Sequence, residues 1–360
     1  MTSDTLIVTR LMWPGGVFRT ALEESRHMPA KLIVLRRSNH DTPYDMNGVD
    51  IEVIRDNGKR GFFTPIFEIL TLFYDKERGR DATVDLDLIF QMRDLEGEKI
   101  LYMDQFVALA GLLNLLLHGK QYYVFLHETV LGREFNVKNL PLIIYDKLIL
   151  KHAKIVITNS KWNQRILASY GIKSIVAHLG CNPTEKLNLV RDPLIITVSM
   201  WDRFRRPEIY VELAKRINAK VLIVGNWTRD DYKDEFIEKF GSVVKVTGPL
   251  NEDELGKLYD QASFYIRFGY GERGPGLGGI EALGHGLPVI TNKGLGISEL
   301  IDDGKNGFIV DDIEEAASKI NSVLSDKNRH LDMIKNAWEK GKELSWENHA
   351  AKVRNVLNCY

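Results

Sequence analysis

The sequence predicts an α/β protein made of two doubly wound, parallel-sheet domains that face each other across a cleft. Three observations carry this. Short apolar runs alternate with amphipathic helical patterns along most of the chain, as expected when parallel strands are covered by helices on both faces. The pattern pauses in the polar stretch Thr184–Asp192 and then restarts. A chain of 360 residues is also long enough for two cores rather than one. The expected domains are residues 1–187 and 188–345, with a terminal helix, 346–360, packing back on the first.

The elements follow in order. Leu6–Thr9 reads as a strand, Trp13-Pro-Gly-Gly16 as a glycine turn and Val17–Ser25 as a helix. Such a turn lets a ligand approach the backbone closely, although it is equally compatible with simple packing. Lys31–Leu35 and Val49–Ile54 are further strands, Phe62–Tyr74 an amphipathic helix and Lys76–Arg80 an exposed turn. Lys99–Met103 and Tyr122–Leu126 are strands around a buried helix near Phe106–Leu117, whose apolar run is too short to span a bilayer. Asn139–His152 reads as a core-facing helix, with an anionic membrane surface as the alternative because Lys138, Lys147, Lys151 and His152 flank its apolar residues. Lys154–Thr158 is a strand, and Ser160 is placed to cap the helix Lys161–Ser169.

After the pause, Leu194–Val198 is a strand leading into a basic loop, Trp201-Asp-Arg-Phe-Arg-Arg206, with Pro207 in the first turn of a helix ending near Ile217. Lys220–Val224 and Val243–Val246 are strands, and Asn251 with Glu254 spells a capping box for a helix to Gln261. Ser263–Arg267 is a strand, and Gly307–Val310 is the last one before helices that run to the end.

Between those strands lies the stretch most informative about function. Gly269–Glu299 has ten glycines in 31 residues. Ile280–Leu283 reads as the body of a short helix, Pro288–Thr291 as a strand, and Gly294-Leu-Gly296 as a second glycine turn opening a second helix. Free N–H groups at helix starts attract anions. Cations such as Arg273 suit phosphate oxygens, and Glu272 and Glu281 suit sugar or ribose hydroxyls. The combination points to a ligand with both phosphate and hydroxyls.

Gly274-Pro-Gly-Leu-Gly-Gly-Ile-Glu281, followed by Ala-Leu-Gly-His-Gly-Leu-Pro-Val-Ile, resembles the donor-site motif of family-4 retaining glycosyltransferases of the GT-B fold, known also as glycosyl transferases group 1. That motif pairs two spaced glutamates, the first followed by Gly-Phe-Gly-Leu. Glu281 matches the second glutamate; Arg273 occupies the place of the first, and Glu272 stands one residue early. In the resembling family the loop after the first strand of the second domain carries an arginine and a lysine for the donor diphosphate. Arg205 aligns with that lysine and Met200 with the arginine, leaving Arg203 as its substitute. His127 matches a strand-end histidine near the transferred sugar, although a lone histidine is more often structural. Gly15 and Gly16 match a glycine turn near donor and acceptor.

The resemblance implies transfer of a hexosyl unit from a nucleotide-diphosphate sugar to a hydroxyl acceptor with retention of configuration, the leaving phosphate taking the acceptor proton. The site expected on these grounds has His127, Arg203 and Arg205 as catalytic groups. Gly15, Gly16, Arg206, Glu272, Arg273, Gly274, Gly276, Leu277, Gly278 and Glu281 are expected to bind the donor. No Asp-x-Asp motif accompanies the glycine turns, so neither metal nor cofactor is expected. A nucleotide-sugar epimerase of the same build and a non-catalytic nucleotide-sugar binder are the alternatives; incubation with donor alone and then with acceptor separates them. The acceptor is left open among glycans, lipid-linked sugars and small molecules. The net charge of −1 offers no support for nucleic-acid binding. Cys181 and Cys359 lack metal or redox spacing, and the N-terminus lacks a signal-peptide pattern; together these suggest the cytoplasm, with peripheral membrane contact as an option.

Overall fold

A computed structural model describes residues 5–10, 15–36, 44–55, 92–133, 137–269 and 271–360. The helix expected at 62–74, the turn at 76–80 and Trp13-Pro14 lie outside the described residues. The chain forms two compact units, residues 1–178 with 349–360, and residues 179–348.

The first unit runs β1 (Thr5–Arg10), α1 (Gly16–His27), β2 (Lys31–Arg36), β3 (Ile51–Arg55), β4 (Lys99–Tyr102), α2 (Ala108–His118), β5 (Tyr123–Leu126), α3 (Leu140–His152), β6 (Ile155–Thr158), α4 (Lys161–Ser169) and β7 (Ser174–Val176). Its strands are parallel in the order β3-β2-β1-β4-β5-β6-β7. Val8 stands opposite both Ile33 and Tyr102. Because helices cover both faces, the central strands are apolar at consecutive positions, and all of Tyr123–Leu126 is buried. The chain leaves β1 toward β2 and returns at β4 on β1's other side. The strand order therefore reverses between β1 and β4, the kind of point at which a crevice opens at a sheet's carboxyl edge.

The second unit contains β8 (Leu194–Val198), α5 (Glu208–Ala214), β9 (Lys220–Val224), α6 (Asp230–Phe240), β10 (Lys245–Val246), α7 (Glu252–Gln261), β11 (Phe264–Arg267), α8 (Leu277–Gly284), β12 (Val289–Asn292), β13 (Gly307–Val310), α9 (Ile313–Leu324) and α10 (Lys327–Glu343). Its parallel order is β10-β9-β8-β11-β12-β13. The crevice here opens between the loops after β8 and β11. The core beneath it packs Trp201, Ile223, Phe264, Ile266 and Ile290.

Local chemistry sets the helix starts. Ser160 Oγ accepts the Asn163 N–H at 3.1 Å. Asn251 Oδ1 accepts the Glu254 N–H at 2.9 Å while Glu254 Oε2 accepts the Asn251 N–H at 3.0 Å, which completes the capping box. Each such cap is worth about 1 kcal/mol. Pro207 stands immediately before α5 rather than inside it, and the helix ends at Ala214, short of Ile217. Gly294–Gly296 opens a five-residue 3₁₀ turn, Gly296–Leu300, not an α-helix.

The change of unit comes at Leu179, ahead of the polar stretch at 184–192. The Cys181 N–H donates to the Leu344 carbonyl at 2.8 Å and the Thr184 N–H to that of Gly284 at 3.0 Å, so this segment is already tied into the second unit. The last helix, α11 (Trp346–Cys359), begins in the second unit, and from His349 onward it belongs to the first. There His349 Nδ1 lies 2.7 Å from the His178 carbonyl and Nε2 lies 2.9 Å from Glu24 Oε1. If Nδ1–H donates to that carbonyl, one proton is shared between Nε2 and the carboxyl. Burial pushes the Glu24 carboxyl pKa up, against the opposing pull of His349.

Candidate functional site

In the second unit the basic loop closes on itself before it reaches outward. Asp202 Oδ1 accepts the Arg205 N–H at 2.8 Å, capping a 3₁₀ turn, Arg203–Arg205. Arg206 follows with a left-handed backbone, φ 47°. These turns send the three arginines in different directions. Arg205 reaches across the crevice, donating to Ser199 Oγ at 3.0 Å and pairing with Glu272. Arg203 leans toward α6, with its guanidinium 5.4 Å from the Tyr232 ring centroid and 4.0 Å from Glu235. Arg206 is exposed and lines a separate hollow with Ile209, Glu212, Arg216, Phe268 and Asn292. The three arginines do not converge into one cationic cluster.

Glu272 is held from two sides. Besides Arg205 it pairs with Arg267, whose Nε lies 3.1 Å from Glu272 Oε2 and whose second contact is to Oε1. Arg267 ends β11, is 7% exposed, and stacks its guanidinium 5.8 Å from the Trp201 ring centroid. Its Nη1 has no hydrogen-bond partner. A buried guanidinium needs a carboxylate near it, since an unpaired buried charge costs several kcal/mol. Glu272 thus serves as the counter-ion of two arginines, where the sequence reading had it facing a sugar hydroxyl.

The helix α8 starts at Leu277 after Gly276, which has φ 68°, open space around it and no side-chain cap on the helix. Gly278 lets the helix lie against Tyr265, since a Cβ there would stand 3.0 Å from the Tyr265 hydroxyl. Gly274 and Arg273 are half-buried in the preceding loop. Glu281 is in the second turn of α8, and its Oε2 lies 3.3 Å from the Tyr259 hydroxyl. That hydroxyl is also 3.2 Å from the Gly278 carbonyl and donates to one of the two at a time. The second glycine turn is a packing device. The Gly296 N–H donates to the Glu272 carbonyl at 2.7 Å, and a Cβ on Gly296 would fall 2.3 Å from the Arg273 oxygen. Only α8 presents an open helix start among the two expected, because the chain itself occupies the other.

In the first unit, Gly15 is the extended N-cap of α1 and Gly16 its first residue. At the neighbouring strand ends, Asp104 Oδ1 accepts the N–H groups of Phe106 and Val107 at 2.7 and 2.9 Å, and Oδ2 accepts Arg10 Nε at 2.8 Å. Arg10 lies 4.6 Å over the Phe106 ring. His127 follows β5. Its carbonyl accepts from Asn163 Nδ2 at 3.2 Å, its ring packs against Phe125, and its Nε2 is buried without a partner. Burial pulls its pKa down to about 4, against the opposing influence of Asp104. The imidazole is therefore neutral at physiological pH, fit for a hydrogen bond with a neutral group but not for carrying charge.

Sequence reasoning missed Arg10, Asp104, Tyr259 and Arg267. The available signal for Arg267 was a charge ending the otherwise apolar run Phe264–Ile266; for Asp104 it was a carboxylate just past a strand end. Among the described residues no group of three or more His, Cys, Asp or Glu side chains could hold a metal, and no helix is long and apolar enough to cross a membrane.

Residues 182–340 match the family model of the glycosyl transferases group 1. A sulfoquinovosyl transferase of Arabidopsis thaliana is 27% identical over 170 residues, covering 45% of this chain and 32% of that protein. A GDP-mannose-dependent alpha-mannosyltransferase of Corynebacterium glutamicum is 29% identical over 143 residues, covering 39% and 33%. The matched part thus spans about a third of each relative's length. Among solved structures, the Anabaena protein HepE in complex with UDP and glucose superposes with a TM-score of 0.78 at 16% identity, over 99% of this chain and all of that one. A sucrose-phosphate synthase from Thermosynechococcus elongatus gives 0.73 at 17% identity, over 98% of both. The chain therefore has the fold of the GT-B glycosyltransferases, two parallel-sheet Rossmann-like units, and most of its second unit matches the glycosyl transferases group 1.

Proposed function

We propose that the protein transfers a hexosyl unit from a nucleoside-diphosphate sugar to a hydroxyl acceptor, retaining the anomeric configuration and using no divalent metal or other cofactor. The observation that carries this reading is the pairing of Arg205 with Glu272, in the glycine-rich loop that leads into the uncapped start of α8. A helix start without a side-chain cap and an arginine paired in the loop before it suit a diphosphate. In this reading Gly274, Gly276, Leu277 and Gly278 cradle the phosphates and Arg205 stabilises the charge that builds as the glycosidic bond breaks. Glu281 accepts hydrogen bonds from the ribose hydroxyls, and the Tyr259 hydroxyl then turns to the Gly278 carbonyl. Neutral His127 with Gly15 and Gly16 would serve the transferred sugar. The leaving phosphate oxygen would take the acceptor's proton, so no protein carboxylate is needed as nucleophile. Arg203, Arg206 and Arg273 would contribute to the electrostatic field without touching the reacting bond. The acceptor would be a glycan, a lipid-linked sugar or a small molecule, met in the cytoplasm.

The test starts with nucleotides. UDP, GDP and ADP, with their hexose conjugates, are screened by thermal shift. A ligand at a hundred times its Kd adds about 2.7 kcal/mol, or roughly 5 °C for a domain of this size. The stabilising conjugate is then incubated alone and with candidate acceptors, and the product anomer is assigned by NMR. Transfer with retention supports the reading. A changed sugar nucleotide released without acceptor would make the protein an epimerase, and binding without any turnover a non-catalytic binder. No stabilisation by any nucleotide would sink the donor site itself.

A further inference from the structure

Helix α3 is apolar on two sides. Leu142, Ile149 and Leu150 point into the core of the first unit. The one acidic residue between 137 and 152, Asp146, is buried with them, its Oδ2 accepting from the Thr129 hydroxyl at 2.6 Å and the Val130 N–H at 3.0 Å. Outside, Val137, Leu140, Ile144 and Leu148 are 73%, 39%, 57% and 46% exposed. Their spacing of three, four and four residues draws one continuous stripe along the helix and the turn before it. Lys147, Lys151 and His152 are exposed beside it. The sequence reading had this helix facing the core, with an anionic membrane surface as the alternative; its apolar density proves enough for the core and for a second, outward face.

We propose that this outward face docks on an anionic lipid surface, with α3 lying in the plane of the headgroups. An aliphatic stripe left this exposed among the described residues is unfavourable in water and characteristic of an interaction site. Its chemistry selects the partner. The exposed side chains described between 137 and 152 are aliphatic or basic and include no carboxylate, which suits acyl chains below and headgroup phosphates at the sides. A second copy of the chain fits poorly, because apposing two such stripes would bring Lys147 and Lys151 of both copies together with no carboxylate between them. The thirteen residues of α3 are too few to span a bilayer, so the contact is superficial.

The experiment is vesicle co-sedimentation of the full chain with phosphatidylcholine, alone and with 30% phosphatidylglycerol (about 30% being a common anionic fraction), at low and high salt. The wild type should pellet with the anionic vesicles at low salt and be released by salt. Lys147→Gln with Lys151→Gln should weaken that binding about 30-fold, since each lysine near an anionic surface contributes roughly fivefold. Ile144→Glu with Leu148→Glu should abolish it. All these positions are exposed, so an unchanged melting temperature and unchanged UDP response confirm the fold. A wild type that stays in solution with anionic vesicles overturns the proposal, as does undiminished binding of the Ile144→Glu/Leu148→Glu variant. A dimer in light scattering that this variant dissociates, without vesicle binding, would reassign the face to a second copy.

Discussion

Arg205 offers the sharpest test of how charge is arranged in the second unit. Its guanidinium shares Glu272 with Arg267, so the three groups carry a net charge of +1 (two cations, one carboxylate). Arg205→Ala leaves Arg267 and Glu272 paired and the cluster neutral. Glu272→Gln leaves both arginines and raises the cluster to +2. If the cluster serves a diphosphate, the two substitutions must act in opposite senses on nucleotide affinity. Losing one electrostatic donor aimed at the transition state costs about 10²–10³ in turnover, roughly 3–4 kcal/mol. We expect that loss for Arg205→Ala, with weaker UDP or GDP binding as well. For Glu272→Gln we expect nucleotide binding at least as tight as in the wild type. Its turnover should fall by no more than about tenfold, the cost of a less firmly held Arg205. Arg206 cannot easily stand in, because its left-handed backbone sends it to a different hollow. The double substitution Arg205→Ala/Arg206→Ala should therefore resemble Arg205→Ala alone. The assay is single-turnover transfer at saturating donor, with nucleotide Kd measured separately so that binding and chemistry are not confounded. Turnover within tenfold of wild type for Arg205→Ala, beside a hundredfold loss for Glu272→Gln, would refute this reasoning and return the carboxylate to the sugar.

Three further outcomes are expected. His127 has its pKa depressed to about 4 in the native protein against 6.5 for an ordinary histidine, so the unfolded chain binds the extra proton first and stability falls as pH drops from about 6.5 toward 4; at pH 4.5 the wild type should have lost about 2–3 kcal/mol from this group, and urea midpoints of His127→Gln should lack that part of the slope. Gly296→Ala places a Cβ 2.3 Å from the Arg273 oxygen, so the loop bearing Glu272 must shift and transfer should drop at least about tenfold with the overall fold retained by circular dichroism. Transfer should survive exhaustive chelation; a loss restored by magnesium or manganese would show that Arg205 does not suffice for the leaving group.

The alternation of strand and helix, the capping box of Asn251 with Glu254 and the Ser160 cap were legible because each is specified within a few neighbouring residues. The two-fold restart of the pattern was legible for the same reason, and with it the α/β class. The glycine run also announced a helix start, and Gly276 leads into it with φ 68°, a backbone that other residues rarely adopt. What the sequence could not show is which groups meet. Glu272 lies five residues from Arg267 but 67 from Arg205, and only the adjacency of β8 and β11 brings that second arginine to it. Identical composition in one loop sends Arg203, Arg205 and Arg206 to three different places, because a capped 3₁₀ turn and a left-handed residue rotate them apart. Gly296 reads as an anion turn but is small because another backbone passes over it. Helix α3 has too many apolar residues for its pattern to choose a side; the packing of Leu142, Ile149 and Leu150 against the first sheet chose it, and the surplus became surface. Short-range geometry is carried by local sequence, whereas pairing across strands and the direction of burial follow from the order of the strands in the sheet.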